Sequence, residues 1–125
     1  MSMEKTREML ESLSEQTQEK TGLNLIAEER LRQIIEEGYT SKYDDRYDHN
    51  QLALAAACYC LPASVRSSHN FDLRGTTMRK SLWPWKDEYW KPSNDNRIRE
   101  LVKAGALIAA EIDHLLRIQQ NENTP

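Results

Sequence analysis

Two segments of this chain have no polar face when they are drawn as helices. Residues 52–60 read LALAAACYC, and residues 104–110 read AGALIAA. A helix that is apolar on all sides is covered by neighbours on several sides. Neither segment approaches the roughly 18 apolar residues that indicate a membrane span. The sequence therefore predicts a soluble, all-α protein in which both segments are central and the last helix is buried on most of its circumference.

Length and composition indicate one globular domain in a reducing compartment. The chain has 125 residues, of which 38% are hydrophobic and 30% charged, which is typical of a single soluble domain. It turns polar directly after Met1, unlike a secretory signal peptide, so we expect a cytoplasmic protein. Cys58 and Cys60 point to different sides of a helix, so we expect unpaired, buried thiols.

Helix signals divide the chain into three parts. We expect residues 1–22 to form a peripheral N-terminal helix, 23–118 a helical core domain and 119–125 a flexible polar tail. The predicted helices of the core cover residues 24–37, 51–61 and 95–118. Asp48 or Asn50 is expected to cap the second of these, and Pro62 to end it.

The last helix is expected to turn its large apolar residues toward the core. That face follows helical spacing and comprises Ile98, Leu101, Val102, Gly105, Ile108, Ala109, Ile112, Leu115 and Leu116. Glu100, Lys103, Leu107 and Glu111 line up on the other side. Because only four helices are available to cover the apolar segments, we also expect the chain to form a homo-oligomer.

The connection between the last two core helices is basic and rich in tryptophan. Residues 62–96 show no clear periodicity and contain all three tryptophans, in the run WPWKDEYWKP that begins at Trp83. A connection this long is either functional or disordered, and we expect it to fold down on the helices. Residues 62–99 carry eight Lys/Arg against four Asp/Glu. This favours a phosphate-bearing small molecule over a long nucleic acid as the ligand.

A set of polar and aromatic residues forms the candidate ligand site. The candidates are Glu29, Arg32, Gln33, Asp45, Trp83, Trp85, Trp90, Lys91, Arg99 and Lys103. Tryptophan rings stack on bases, and lysine and arginine meet phosphate. Plainer interpretations stay open: a solvated ion-pair face, a turn at Asp45, an internal acid paired with Lys103, and tryptophans that merely cover the core. The chain has no phosphate loop, nucleophile elbow or zinc motif, so no catalytic residue is assigned.

Taken together, these elements resemble a group of small phage and prophage proteins. The resemblance rests on AEERLRQ from Ala27, EGY from Glu37, the pair Asp44-Asp45, the WPW and WKP motifs, and LVKAGALI from Leu101. It covers roughly residues 26–117 and implies no established activity.

The helix order is also similar to phage members of the MazG-like all-α NTP pyrophosphatases. That resemblance implies a four-helix core, with the Trp-rich segment as a long insertion, and cleavage of nucleoside triphosphates with Mg²⁺. The family holds the metal with a Glu-x-x-Glu pair and a later Glu-x-x-Asp pair, but here Lys103 stands where the aspartate would be. Candidate ligands of Mg²⁺ in a shifted arrangement are Glu29, Glu36, Asp45 and Glu111.

Three functions remain open on the sequence. The first is a protein that binds or sequesters a nucleotide or nucleotide-derived signal without catalysis. The basic aromatic segment, and the lysine that stands in place of a metal ligand, favour this function. In a phage setting, such a protein would have a counter-defence role. The second is an Mg²⁺-dependent NTP or dNTP pyrophosphohydrolase. The third is an inhibitor that docks on a host enzyme through the polar N-terminal helix and the insertion. None of the three involves a membrane.

Overall fold

The computed structural model describes residues 2–15, 20–36, 50–68 and 76–122. The regular secondary structure of these ranges is helical, without β-strands. The elements are α1 (Met3–Glu15), α2 (Gly22–Glu36), α3 (Gln51–Cys60), α4 (Ala63–Arg66), α5 (Met78–Leu82), a 3₁₀ turn (Asp87–Tyr89) and α6 (Arg97–Glu122). The predicted all-α class is confirmed for the described part of the chain. Within that part, no helix combines the length and apolarity needed to cross a bilayer.

The packing of α3 against α6 forms the centre of the molecule. Most of the side chains in this contact are small, which lets the two helices approach closely. The buried cluster consists of Leu52, Ala55, Ala56, Cys58, Tyr59, Trp83, Ala104, Leu107 and Ala110. Burial of this apolar surface is the main favourable contribution to the fold. As predicted, α3 is covered on several sides, although Ala53 and Cys60 are exposed.

α2 packs against α6, and α1 packs against α2. α2 and α6 pack closely at Gly105, where an added Cβ atom would lie 2.6 Å from Cδ1 of Ile26. Only glycine leaves room for the isoleucine at this position. This close contact fixes where α2 presents Glu29 and Gln33, which are both buried.

The predicted core face of α6 is wrong. Val102 is buried, but the larger apolar residues on that face are exposed. Their exposed fractions are 43–67%, and they are Ile98, Leu101, Ile108, Ile112, Leu115 and Leu116. The buried side is the one that carries Glu100, Leu107 and Glu111. Apart from Val102 and the contact of Gly105 with α2, this side of α6 is therefore open, and the helix is not buried on most of its circumference.

The reason for this inversion is that α6 is apolar on two sides. Its alanines fit closely against α3, and burial of Glu100 on that side is compensated by a bidentate ion pair with Arg66, with distances of 2.9 and 2.7 Å. A buried carboxylate is tolerated when its charge and its lone pairs are satisfied. Without that partner in view, the sequence pattern assigns Glu100 to the solvent side.

The start of α6 is tied to the end of α3. The Arg97 guanidinium donates to the carbonyl oxygens of Tyr59 at 3.0 Å and Leu61 at 3.2 Å, and also to that of Cys60. These are carbonyl groups that the end of a helix leaves without an intrahelical partner. A cation at this end also interacts favourably with the dipole of α3.

Other local predictions are corrected or lie outside the described residues. Asn50 precedes α3 with a left-handed φ of 66° and makes no side-chain capping bond. Asp48 lies outside the described ranges. Both cysteines are unpaired as predicted, but Cys60 is exposed because it lies on the outer side of α3. α6 continues to Glu122, beyond the predicted end at residue 118.

Candidate ligand-binding cavity

A cavity of about 680 Å³ lies where α2, α3 and α6 meet the aromatic segment, which we define as residues 83–91. The described residues that line it are Glu29, Arg32, Gln33, Leu52, Tyr59, Trp83, Pro84, Trp85, Lys86, Tyr89, Lys91, Lys103 and Leu107. One side of the lining is therefore aromatic, and another is made of polar and charged groups. Cavities of roughly 300–1,000 Å³ with a few convergent polar groups are typical of small-molecule sites.

The aromatic wall is held in place by ring-to-ring contacts. Trp83 is buried and meets Tyr59 and Trp85 edge to face, with ring centroids 5.8 and 5.3 Å apart. Its indole N–H donates to the carbonyl of Lys86 at 3.0 Å. Contacts of this kind favour a defined ring orientation, so the cavity has a preformed apolar surface.

Trp90 supports this wall from behind and does not line the cavity. Its ring lies 4.6 Å from that of Tyr59 and 5.1 Å from that of Trp83, centroid to centroid. The guanidinium carbons of Arg66 and Arg79 each lie 5.3 Å from the Trp90 ring centroid. Trp90 therefore has a packing role, with cation–π contacts on its surface.

Four cationic residues among the described ones line the same cavity: Arg32, Lys86, Lys91 and Lys103. The Lys103 ammonium donates to the carbonyl oxygen of Lys91 at 2.8 Å and lies 5.4 Å from the Tyr59 ring centroid. Lys103 thus connects α6 to the aromatic segment and places its charge beside the aromatic wall. A phosphate in this space would find positive charge next to ring surfaces.

Glu29 is the one carboxylate among the described lining residues, and two arginines hold it. Arg32 donates to its two oxygens at 2.7 and 2.8 Å, and Arg99 donates to them at 2.8 and 3.1 Å. Burial acts to raise the pKa of Glu29, but the hydrogen bonds and charges of Arg32 and Arg99 outweigh it and lower the pKa below its ordinary value. The carboxylate is therefore ionised and compensated at neutral pH.

Gln33 contributes a polar atom that the described residues leave unsatisfied. The side chain is 4% exposed, and its amide nitrogen lies 3.4 Å from the Glu29 carboxylate. Its amide oxygen is buried and accepts no hydrogen bond from the described residues. A buried acceptor without a donor is costly, so this oxygen marks a position where a ligand N–H or O–H would be stabilised.

The structure brings most of the predicted ligand residues together. Seven of the ten line the cavity: Glu29, Arg32, Gln33, Trp83, Trp85, Lys91 and Lys103. Arg99 reaches the site only through Glu29, Trp90 lies behind the wall, and Asp45 is outside the described residues. Sequence reasoning missed Tyr59 and Lys86, although a lone phenol in the otherwise apolar α3 was a usable signal.

The candidate Mg²⁺ ligands do not form a metal site within the described ranges. No group of three His, Cys, Asp or Glu side chains converges there. Both oxygens of Glu29 are engaged by arginines, Glu36 is exposed and accepts a hydrogen bond from Arg32 at 3.2 Å, and Glu111 is buried. Since Asp45 is not among these residues, Mg²⁺ binding stays a prediction.

Comparisons of the chain with protein-family models, with curated proteins and with solved structures found no match. The resemblance to phage proteins and to the MazG-like superfamily therefore stays a prediction from the sequence.

Proposed function

We propose that the cavity binds a nucleotide or a nucleotide-derived molecule, without catalysing its turnover. The observation that carries this proposal is the presence of an aromatic wall and several cationic residues around one cavity. Base–aromatic stacking is sequence-tolerant and stabilises by about 1–3 kcal/mol per base. Ammonium and guanidinium groups next to it suit the phosphate of the same molecule.

Charge in the cavity supports an anionic ligand. The negative charge of Glu29 is already balanced by Arg32 and Arg99. Lys86, Lys91 and Lys103 add further positive charge to the lining. A cavity with this balance attracts phosphate and repels cations.

Both carboxylate oxygens of Glu29 already accept hydrogen bonds, which is the reason to propose binding without hydrolysis. Pyrophosphate release in metal-dependent sites needs carboxylate oxygens available to the metal, whereas both oxygens of Glu29 accept hydrogen bonds from guanidinium groups. We expect no release of pyrophosphate from nucleoside triphosphates in the presence of Mg²⁺. Turnover that is lost in Glu29→Gln would replace the binding proposal with the pyrophosphohydrolase alternative.

The MazG-like core and a role in a phage setting are part of the same proposal. We propose a MazG-like four-helix core in which residues 62–96 are an insertion that carries the aromatic wall. In a phage setting, such a protein would sequester a nucleotide signal of host defence in the host cytoplasm. The α3–α6 contact and the position of the aromatic segment support the arrangement of helices and insertion.

Calorimetric titration combined with tryptophan fluorescence tests the binding proposal. The panel comprises nucleoside mono-, di- and triphosphates, cyclic nucleotides, and inorganic phosphate alone. We expect at least one nucleotide to give heat and to change the emission, because Trp83 and Trp85 line the cavity. Absence of heat and of any emission change across the whole panel would contradict the proposal.

Two lysine variants, one in the cavity lining and one outside it, test where the nucleotide binds. Lys103→Met should weaken nucleotide binding by about tenfold or more, the loss expected for one charge-assisted hydrogen bond. Lys80→Met removes the same charge from a side chain that is 56% exposed and outside the cavity lining, so its affinity should match that of the unmodified protein. Equal affinities for both variants would place the binding site elsewhere.

A further inference from the structure

The exposed side of α6 presents a regular apolar stripe. Its positions follow one another at alternating spacings of three and four residues: Ile98, Leu101, Gly105, Ile108, Ile112 and Leu115, of which Gly105 is taken up by the contact with Ile26 of α2. Five of them are large and exposed, with exposed fractions of 43–67%. Leu116, which is 53% exposed, widens the stripe near its C-terminal end. This spacing is that of a helix seam that packs against another helix.

The stripe carries no charge from Ile98 to Leu115. The charged side chains in this stretch lie at positions off the 3–4 spacing, and several of them face inward, such as Glu100 and Glu111. Each large side chain of the stripe leaves about half of its surface in water. The patch is therefore on the order of 600 Å², at the upper end of what monomers expose.

We propose that a second copy of this chain covers the stripe, with the two α6 helices antiparallel about a twofold axis. The alternating 3–4 spacing is the same in both chain directions. Two antiparallel copies of α6 therefore place their stripe positions opposite each other. With the axis between Gly105 and Ile108, Ile98 of one copy lies opposite Leu115 of the other, and Leu101 lies opposite Ile112. The two Ile108 side chains flank the axis, and Gly105, which faces Ile26 of its own chain, stays outside the contact.

The exposed area fits this occupant. Two such patches together approach the roughly 1,200 Å² at which stable protein interfaces begin. The groove of about 450 Å³ beside Ile98 is lined mostly by polar and charged residues, among them Glu28, Glu36 and Arg99, so it is not part of the proposed contact.

The oligomeric state of the full chain, measured by light scattering after size exclusion and by sedimentation, tests the proposal. We expect a dimer whose dissociation constant rises on the order of 100-fold or more in Ile108→Glu, because a carboxylate would be buried at the centre of the interface. Val65→Glu is the matched control, since Val65 is 39% exposed on α4, outside the stripe, and it should leave the dimer intact. The far-ultraviolet circular dichroism of both variants should stay helical.

A charge pair tests the antiparallel register. Leu101→Glu and Ile112→Lys should each disrupt the dimer, and the double variant should restore it, because the introduced glutamate of one copy would face the introduced lysine of the other. These positions are eleven residues apart and do not meet within one chain. A monomeric unmodified protein, or a dimer that Ile108→Glu leaves unchanged, would overturn the interface. Failure of the double variant to recover would overturn the antiparallel pairing.

Discussion

Glu29 and Glu100 lie on different helices, and arginines hold both of them in place. Arg66 donates to both oxygens of Glu100, and Arg97 reaches it from one turn away at 3.4 Å. The backbone N–H of Ser93 adds a bond of 3.3 Å. Hydrogen bonds from Arg66 lower the pKa of Glu100 more than burial raises it. This cluster fastens the residues that follow the aromatic segment to α6.

Replacing Glu100 should be strongly destabilising. Glu100→Gln leaves Arg66, whose side chain is 8% exposed, without a countercharge, and loss of one partner of a buried ion pair costs about 3–5 kcal/mol. Glu36→Gln is the control, because the Glu36 side chain is 60% exposed in its pair with Arg32 and should cost less than about 1 kcal/mol. Urea denaturation measures both. Equal losses would show that the Arg66 pair is not buried as described.

At the residue scale, the sequence predicted which residues line the cavity better than it predicted which side chains form ion pairs with each other. It singled out Lys103 and Glu29 as candidates, and the structure places both in the cavity lining. It could not show that Arg99, 70 positions away from Glu29, would share that carboxylate. Side-chain pairing across helices depends on their relative rotation, which the pattern of a single helix does not contain.

At the element scale, the contact of α2 with α6 depends on Gly105. An alanine there would bring its Cβ within 2.7 Å of two Ile26 carbons, and the third lies at 3.3 Å. Because the whole branched side chain of Ile26 faces this position, it has little room to move away. The contact therefore sets the distance between the two helices.

Whether Gly105→Ala destabilises or stabilises the protein should depend on the side chain at position 26. In the unmodified background, we expect destabilisation by about 1–2 kcal/mol, as for other overpacked sites. In an Ile26→Ala background, the clash is gone and the higher helix propensity of alanine should stabilise by about 1 kcal/mol. Thermal or urea unfolding of the four proteins gives the comparison. Destabilisation in both backgrounds would show that Ile26 is not the obstacle.

The sequence predicted the existence of the helices better than their faces. α2, α3 and α6 begin and end within a few residues of the predicted positions, except at the C-terminal end of α6, because Gly, Pro and apolar runs bound them. The faces of α6 were inverted because large apolar residues are on one side and alanines on the other. Which side is buried is decided by fit against α3, where small residues allow closer packing than isoleucine and leucine.

At the scale of the whole molecule, the buried carboxylates predict an acid-sensitive fold. The pKa values of Glu29 and Glu100 in the folded state lie below the ordinary 4.5. Their contribution to stability is therefore complete above pH 4.5 and is lost as the pH falls from there through the lowered pKa values, because folding then requires protons to be given up.

Urea denaturation at a series of pH values measures this loss. The free energy of unfolding should decrease steadily once the pH is below 4.5, the ordinary value for these groups. Glu100→Gln, which has one of the two groups removed, should show a shallower decrease over the same interval. A decrease as steep as that of the unmodified protein would mean that Glu100 does not contribute to the acid response.

The pairing of α3 with α6 also has a consequence for synthesis on the ribosome. Residues 61 and 97, which are joined by a hydrogen bond across this pair, are 36 positions apart in sequence. Chains emerge N-terminal end first, so the apolar α3 emerges before the whole of α6 has been translated. During that interval its leucines and alanines have no native neighbour from α6, and the nascent chain is most open to chaperone binding and to aggregation.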